Sequence, residues 1–164
     1  MKTGKVLAAM LTALLVATAP GHGADNLVKE VREIKAAMPK FGIPMREVGE
    51  RFQNMYAAAR AENWGLAIYM SKSMNAAMNS IKVSQEYLYP FWENYYWSYF
   101  KPVNMAIEAQ DIKAFEKEIP LAVEKCNYCH YVMAFEFIKV KVPTGPATQL
   151  LDFNVKSKAK DFRE

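Results

Sequence analysis

Two cysteines and a histidine near the end of the chain form the motif with the clearest chemistry. Cys126 and Cys129 are separated by two residues, and His130 follows directly. This spacing is typical of covalent haem attachment, because each thiol can add to one haem vinyl group while the imidazole ligates the iron. The motif therefore predicts one haem c, bound through Cys126 and Cys129 and ligated at its proximal face by His130.

Three other uses of such a cysteine pair fit the sequence less well. A structural zinc site needs four ligands, and the chain has no further cysteine and only one other histidine, His22. A thioredoxin-like pair lies beside a βαβ pattern, which this sequence lacks. A disulfide between Cys126 and Cys129 stays open, but it would add little stability because the loop it closes is so short.

The first 23 residues have the features of a secretory signal peptide. Lys2 and Lys5 form a basic start, an uncharged apolar run covers residues 6–19, and a turn-prone exit follows at 20–24. The run is shorter than a membrane span of about 20 residues, although an uncleaved anchor stays open. We expect cleavage after Gly23 or Ala24, with Ala19 as the alternative, and export to the periplasm.

Removal of this segment changes the charge and the ligand set. The formal net charge falls from +4 to +2, because the segment holds two lysines and no acid. No basic run, nucleic-acid motif or second apolar span follows, so we expect neither nucleic-acid binding nor a membrane span after processing.

After removal of the signal peptide, His130 becomes the only histidine, which excludes a bis-histidine haem within one chain. A sixth ligand would have to be of another type, and eight methionines remain: Met38, Met45, Met55, Met70, Met74, Met78, Met105 and Met133.

Apolar residues recur at helical spacing through most of the chain, which predicts an all-α fold. We expect a short helix at 26–38 and four longer ones at 44–61, 63–90, 102–110 and 111–137. Asn63 and Asp111 are suitable N-caps, and Pro120 should kink or restart the last helix. Short connections between such helices favour an antiparallel four-helix bundle with the haem near one end. An extended segment should follow at 138–142, and the charged tail from 156 onward should fray.

Several short stretches besides the haem motif carry a family resemblance. They are Asn63-Trp64 after three alanines, residues 106–111 with Phe115, and Phe137-Ile138 followed by Pro143. With a haem motif near the end of the last helix, the chain resembles the class II cytochromes c, the cytochrome c′ family, over about residues 44–146. The domain organisation is then a signal peptide at 1–23, an N-terminal extension at 24–43, a cytochrome c′-like bundle at 44–146 and a C-terminal tail at 147–164. The arginine that many members carry after the ligand histidine is missing, because residues 131–135 are Tyr-Val-Met-Ala-Phe.

The resemblance implies two alternatives for the distal face of the haem. High-spin members leave that face empty and bind small gases there, whereas low-spin members place a methionine from the start of the first helix on the iron. Met45 occupies the matching position, and an antiparallel first helix would bring it beside the half of the last helix that holds His130. Met45 is therefore the candidate distal ligand, and a role as core filler is an equal alternative. Family members also often pair through their first two helices, so a homodimer stays open.

An aromatic stretch and four basic residues allow further predictions. Nine of the fourteen residues at 87–100 are Phe, Trp or Tyr, which favours a core or pocket lining over an exposed partner surface. Arg46, Arg51, Arg60 and Lys125 could hold haem propionates, although surface charge is their default role.

The function that these features favour is electron transfer with redox partner proteins by a periplasmic monohaem cytochrome. The alternative is a five-coordinate haem protein that binds nitric oxide or carbon monoxide. An enzyme is not expected, because peroxidase-type chemistry needs a distal acid or base, and the mature chain offers no second histidine.

Overall fold

The computed structural model describes residues 22–162, and this part of the chain is all-helical, as predicted. It contains no strand, and its one isolated β-bridge joins Asn63 to Ser157. The helices are α1 (His22–Ala37), α2 (Gly42–Arg60), α3 (Trp64–Ala77), α4 (Ile81–Ser84), α5 (Tyr89–Asn94), α6 (Lys101–Ala109) and α7 (Ile112–Val132). None of these helices is both long enough and apolar enough to cross a lipid bilayer.

The chain forms two units that part between Ile34 and Lys35. The described part of the first unit is the bulk of α1, in which Lys29 and Glu33 pair one turn apart at 3.9 Å. The second unit contains α2 to α7 and the haem motif. The signal peptide predicted for residues 1–23 lies outside the described residues, except for the first two residues of α1.

Two helix starts follow the predicted capping chemistry. The side chain of Asn63 accepts a hydrogen bond from the backbone N–H of Leu66 at the start of α3. The Asp111 carboxylate accepts hydrogen bonds from the N–H groups of Lys113 and Ala114, both at 3.0 Å, at the start of α7. Each cap satisfies backbone donors that have no partner within the helix.

Within the second unit α2 packs against α3 and α6 packs against α7, while α3 also contacts α6.

The helix predicted for residues 63–90 is wrong in its second half. α3 ends at Ala77, and a 3₁₀ turn at Met78–Ser80 and the short α4 follow. Pro90 does not end a helix but lies in the first turn of α5. Proline fits there because its missing N–H has no intrahelical partner in that turn anyway.

The aromatic stretch passes through a π-helical turn at Tyr95–Tyr99, where the N–H of Phe100 donates to the carbonyl of Tyr95 at 3.0 Å. This wider turn changes the helical register, so the stretch is divided between core and surface. The buried rings are Tyr89, Trp92, Tyr95, Tyr96 and Phe100, and the exposed rings are Tyr87, Phe91, Trp97 and Tyr99. Both predicted environments are therefore present in one segment.

The last helix and the tail depart from the predictions in two ways. α7 runs unbroken through Pro120 and ends at Val132, so Phe137 lies beyond it. The tail is not frayed up to Phe162, because Ser157 accepts from the N–H groups of Trp64 and Gly65 at the start of α3. Gly65 is required for this contact, since a Cβ there would lie 2.7 Å from the Ser157 hydroxyl.

Candidate haem site

An apolar cavity of about 400 Å³ lies between α2, α5 and α7. Its volume is within the range of small-molecule and cofactor sites. The four residues singled out from the sequence, Cys126, Cys129, His130 and Met45, all line this one cavity. The remaining lining comes from Phe41, Gly42, Arg46, Val48, Gly49, Phe52, Met74, Trp92, Tyr95, Met133, Phe135, Ile138 and Val140.

The two cysteines lie one turn apart on α7 as free thiols rather than as a disulfide. Burial raises the pKa of the Cys126 thiol to about 11, although a hydrogen bond with Tyr95 opposes this rise. The Tyr95 hydroxyl lies 3.0 Å from the Cys126 sulfur, and burial raises the pKa of Tyr95 as well. Burial also raises the pKa of Cys129. Both sulfurs are therefore neutral thiols at neutral pH, so neither places an unpaired charge in the buried part of the site.

His130 is fixed by a contact that leaves one ring nitrogen free to ligate a metal. Its Nδ1 lies 2.9 Å from the carbonyl oxygen of Ile138. A carbonyl can only accept, so Nδ1 carries a proton, and in the neutral ring Nε2 then carries the lone pair. Histidines that ligate metals usually donate their other N–H to a carbonyl or carboxylate in this way, which fixes the tautomer and the ring orientation.

Asn127 holds the segment that supplies this carbonyl, and the sequence reading missed it. Its side-chain N–H donates to the Val140 carbonyl at 3.0 Å, and its side-chain oxygen accepts from the Val140 N–H at 2.8 Å. These two bonds fold the segment after α7 back along the helix, so that Ile138 and Val140 line the cavity. The sequence offered only an indirect sign of this contact: Asn127 has an amide side chain, and an extended segment was predicted at 138–142.

The cavity also receives three methionines. Met45 comes from the first turn of α2, Met74 from α3, and Met133 from the residue after α7. Met74 is almost fully buried, whereas Met45 is partly buried against the core. Met55 is fully buried and does not line the cavity. Met45 on α2 and His130 on α7 both line the cavity, and the role of Met45 as a distal ligand stays a prediction.

Of the four basic residues considered for the propionates, only Arg46 lines the cavity. Arg51 pairs with Glu47, and this pairing lowers the pKa of the Glu47 carboxyl. Arg60 pairs with Glu116. Lys125 lies 3.1 Å from the Glu124 carboxylate and over the ring of Tyr99. Arg46 is therefore the one of the four that could meet a propionate at this cavity.

The residues present fit a haem c. Two free thiols and a histidine with an available Nε2 lie along one helix, and an apolar wall with a thioether side chain faces them across the cavity. Among the described residues, no group of three or more His, Cys, Asp or Glu side chains could hold a metal ion directly. In comparisons with protein-family models, curated proteins and solved structures, nothing matches this chain.

Proposed function

We propose that this protein is a cytochrome c′-like four-helix bundle that carries one haem c and transfers electrons in the periplasm. The observation that carries this proposal is the convergence of Cys126, Cys129, His130 and Met45 on a single apolar cavity. The hydrogen bond from His130 Nδ1 to the Ile138 carbonyl supports it further, because that bond prepares Nε2 for iron.

Attachment needs only the two thiols and the two haem vinyl groups. Each S–H would add across one vinyl double bond, so that the sulfur would be bonded to one vinyl carbon and the thiol proton to the other. This addition would require no external oxidant or reductant. Cys126 and Cys129 would each form one such thioether bond, and His130 would ligate the iron from the same helix.

A bound haem c supplies a single-electron change between ferrous and ferric iron. The residues of the chain would set the conditions for that change. As a ligand, Met45 would offer a soft thioether that favours the ferrous state and raises the reduction potential, and the contact with Ile138 would hold His130 in one orientation. The lining of the cavity is mostly apolar. Redox partner proteins in the periplasm would exchange the electron, and Arg46 could neutralise a propionate.

A second function is the capture of nitric oxide or carbon monoxide by a five-coordinate haem. The observation that favours it is the apolar character of the α2 side, where Val48, Gly49 and Phe52 line the cavity beside Met45. If Met45 only fills space, the sixth position would be open, and the side chains of Val48 and Phe52 beside it offer no hydrogen bond. The two functions therefore differ in what Met45 does.

The visible spectrum of the purified holoprotein, oxidised and reduced, tests the proposal. We expect a low-spin ferrous spectrum, a thioether-to-iron charge-transfer band in the ferric form, and slow, weak binding of carbon monoxide. A high-spin ferrous spectrum that shifts at once on addition of carbon monoxide would contradict ligation by Met45 and favour the gas-binding function. Protein without haem absorption, produced in a host that matures haem c, would contradict both functions.

A further inference from the structure

Gly49 occupies a position in α2 where glycine is unfavourable. It lies in the interior of the helix, one turn after Met45 and about one turn before Phe52. A glycine inside a helix is about 1 kcal/mol less favourable than alanine, because its backbone loses more conformational freedom on folding. Its neighbours Met45, Val48 and Phe52 on the cavity side are all large. A role for Gly49 in the site would explain why α2 carries a glycine at this position in spite of its cost to helix stability.

Packing within the protein does not require this glycine. Apart from its two chain neighbours and the nearby backbone of its own helix, a Cβ at Gly49 would meet no heavy atom of the described residues within 4 Å. Gly65, in contrast, has the tail of the chain directly against it and could not accept a side chain without displacement. Gly49 lines the cavity, so the space in front of it belongs to the cavity.

The direction of helical side chains locates this space more closely. Each Cα–Cβ bond in an α-helix leans toward the N-terminus, so a side chain covers the turn that precedes it. A side chain at position 49 would therefore extend over the turn that begins with Met45. Gly49 leaves this part of the cavity wall uncovered, beside the predicted distal ligand.

We propose that Gly49 keeps the sixth position of the haem iron accessible, both to the Met45 thioether and to a small diatomic ligand. This inference rests on the proposed function and adds a residue that determines ligand specificity. A larger side chain at position 49 fills the space that either ligand needs. The loss of helical stability at Gly49 is then the consequence of keeping the site open.

The first experiment separates this role from helix propensity. If Gly49 served no purpose, Gly49→Ala in the holoprotein would lower the unfolding equilibrium constant about fivefold and leave the spectrum unchanged. We expect instead that urea unfolding shows no increase in the stability of Gly49→Ala, and that its ferrous spectrum shifts toward high spin. Gain of stability with an unchanged spectrum would overturn the inference.

The second experiment measures access to the iron without competition from Met45. In the Met45→Ala holoprotein, addition of Gly49→Leu should weaken carbon monoxide binding at least about tenfold, which is the scale of steric discrimination in a tight pocket. Gly49→Ala should have a smaller effect in the same direction. The control is Gln53→Leu, which adds the same side chain to an exposed position of α2 and should leave the affinity unchanged.

The outcomes distinguish this inference from the proposed function. If the haem is covalently bound and Gly49→Leu binds carbon monoxide as tightly as its parent, the role of Gly49 is contradicted while the haem site stands. If the parent protein itself carries no covalent haem, the proposed function fails and the inference fails with it.

Discussion

The two walls of the cavity differ in how completely their residues specify a function. On the α7 side, five consecutive residues supply two thiols and a histidine whose tautomer is fixed by a backbone carbonyl. On the α2 side, Met45, Val48 and Phe52 are apolar residues at ordinary helical spacing, as any core-facing helix would have. Under the proposed function, the α7 wall would carry the chemistry of attachment, and the α2 wall would decide whether the attached group transfers electrons or binds small gases.

The largest effect should come from removal of the proximal ligand on the α7 wall. Among the described residues that line the cavity, His130 supplies the only imidazole, so in His130→Gly the haem-loaded fraction should lose its axial ligand and most of its native spectrum. Free imidazole fits the space that the substitution leaves and should restore the spectrum in a titration. Restoration would show that ligation, rather than folding, was lost, and a native spectrum before imidazole is added would contradict the assignment of His130.

A smaller but specific effect should follow a change in the α2 wall. Met45→Ala should convert a low-spin haem to high spin and allow rapid carbon monoxide binding, because the thioether ligand is removed. Met133→Ala is the matched control, since Met133 lines the same cavity from the end of α7 and is expected to lie on the proximal side. Equal spectra for Met45→Ala and the wild type would contradict the assignment of Met45 as the distal ligand.

Asn127 allows a test of how the α7 wall is held in place. Asn127→Ala removes both hydrogen bonds to Val140 and should lower the free energy of unfolding by about 2 kcal/mol, at about 1 kcal/mol for each bond. The segment that supplies the Ile138 carbonyl to His130 should loosen as well, so the iron signals in electron paramagnetic resonance should broaden. Tyr128→Phe, at a neighbouring position that is 65% exposed, is the control and should change neither quantity. Equal stability of Asn127→Ala and the wild type would contradict the role of this clamp.

The smallest expected effect is a change in the alkylation rate of the Cys126 thiol, measured in haem-free protein. Burial raises the pKa of this thiol to about 11, and the hydrogen bond with Tyr95 partly offsets the rise. Only the thiolate reacts with iodoacetamide, so the alkylation rate at Cys126 should increase about tenfold per pH unit from pH 8 to 10. Tyr95→Phe should raise the pKa further and slow the reaction.

Tyr96→Phe is the control for that measurement, because it removes a buried hydroxyl that bonds to Ser71 instead of to a cysteine. Peptide mapping after alkylation assigns the rates to individual cysteines. A rate at Cys126 that is independent of pH in this range would contradict the raised pKa.

The sequence predicted most of what local chemistry determines. The caps at Asn63 and Asp111 follow from side chains that accept from the first turn of a helix, and these contacts depend on neighbouring residues only. The CxxCH motif is likewise contiguous, and all of its functional atoms lie on one helix. The all-α class follows from apolar spacing across the whole chain.

The features that the sequence did not predict depend on distant or irregular contacts. The π-helical turn after α5 shifts the register of the aromatic stretch, and a regular period of 3.6 residues cannot show which rings become buried. The tail is ordered by bonds from Ser157 to α3, more than ninety positions away in the chain. The bond between His130 and Ile138 depends on the return of the chain after α7, which no helical pattern describes.

The covalent link between haem and α7 is the central claim, and one measurement tests it most directly. The wild type and the Cys126→Ala/Cys129→Ala variant, produced in a host that matures haem c, are separated on a denaturing gel and stained for haem peroxidase activity. We predict a stained band for the wild type that is absent from the double variant. A wild-type band without stain, or a stain that persists in the double variant, would contradict the account.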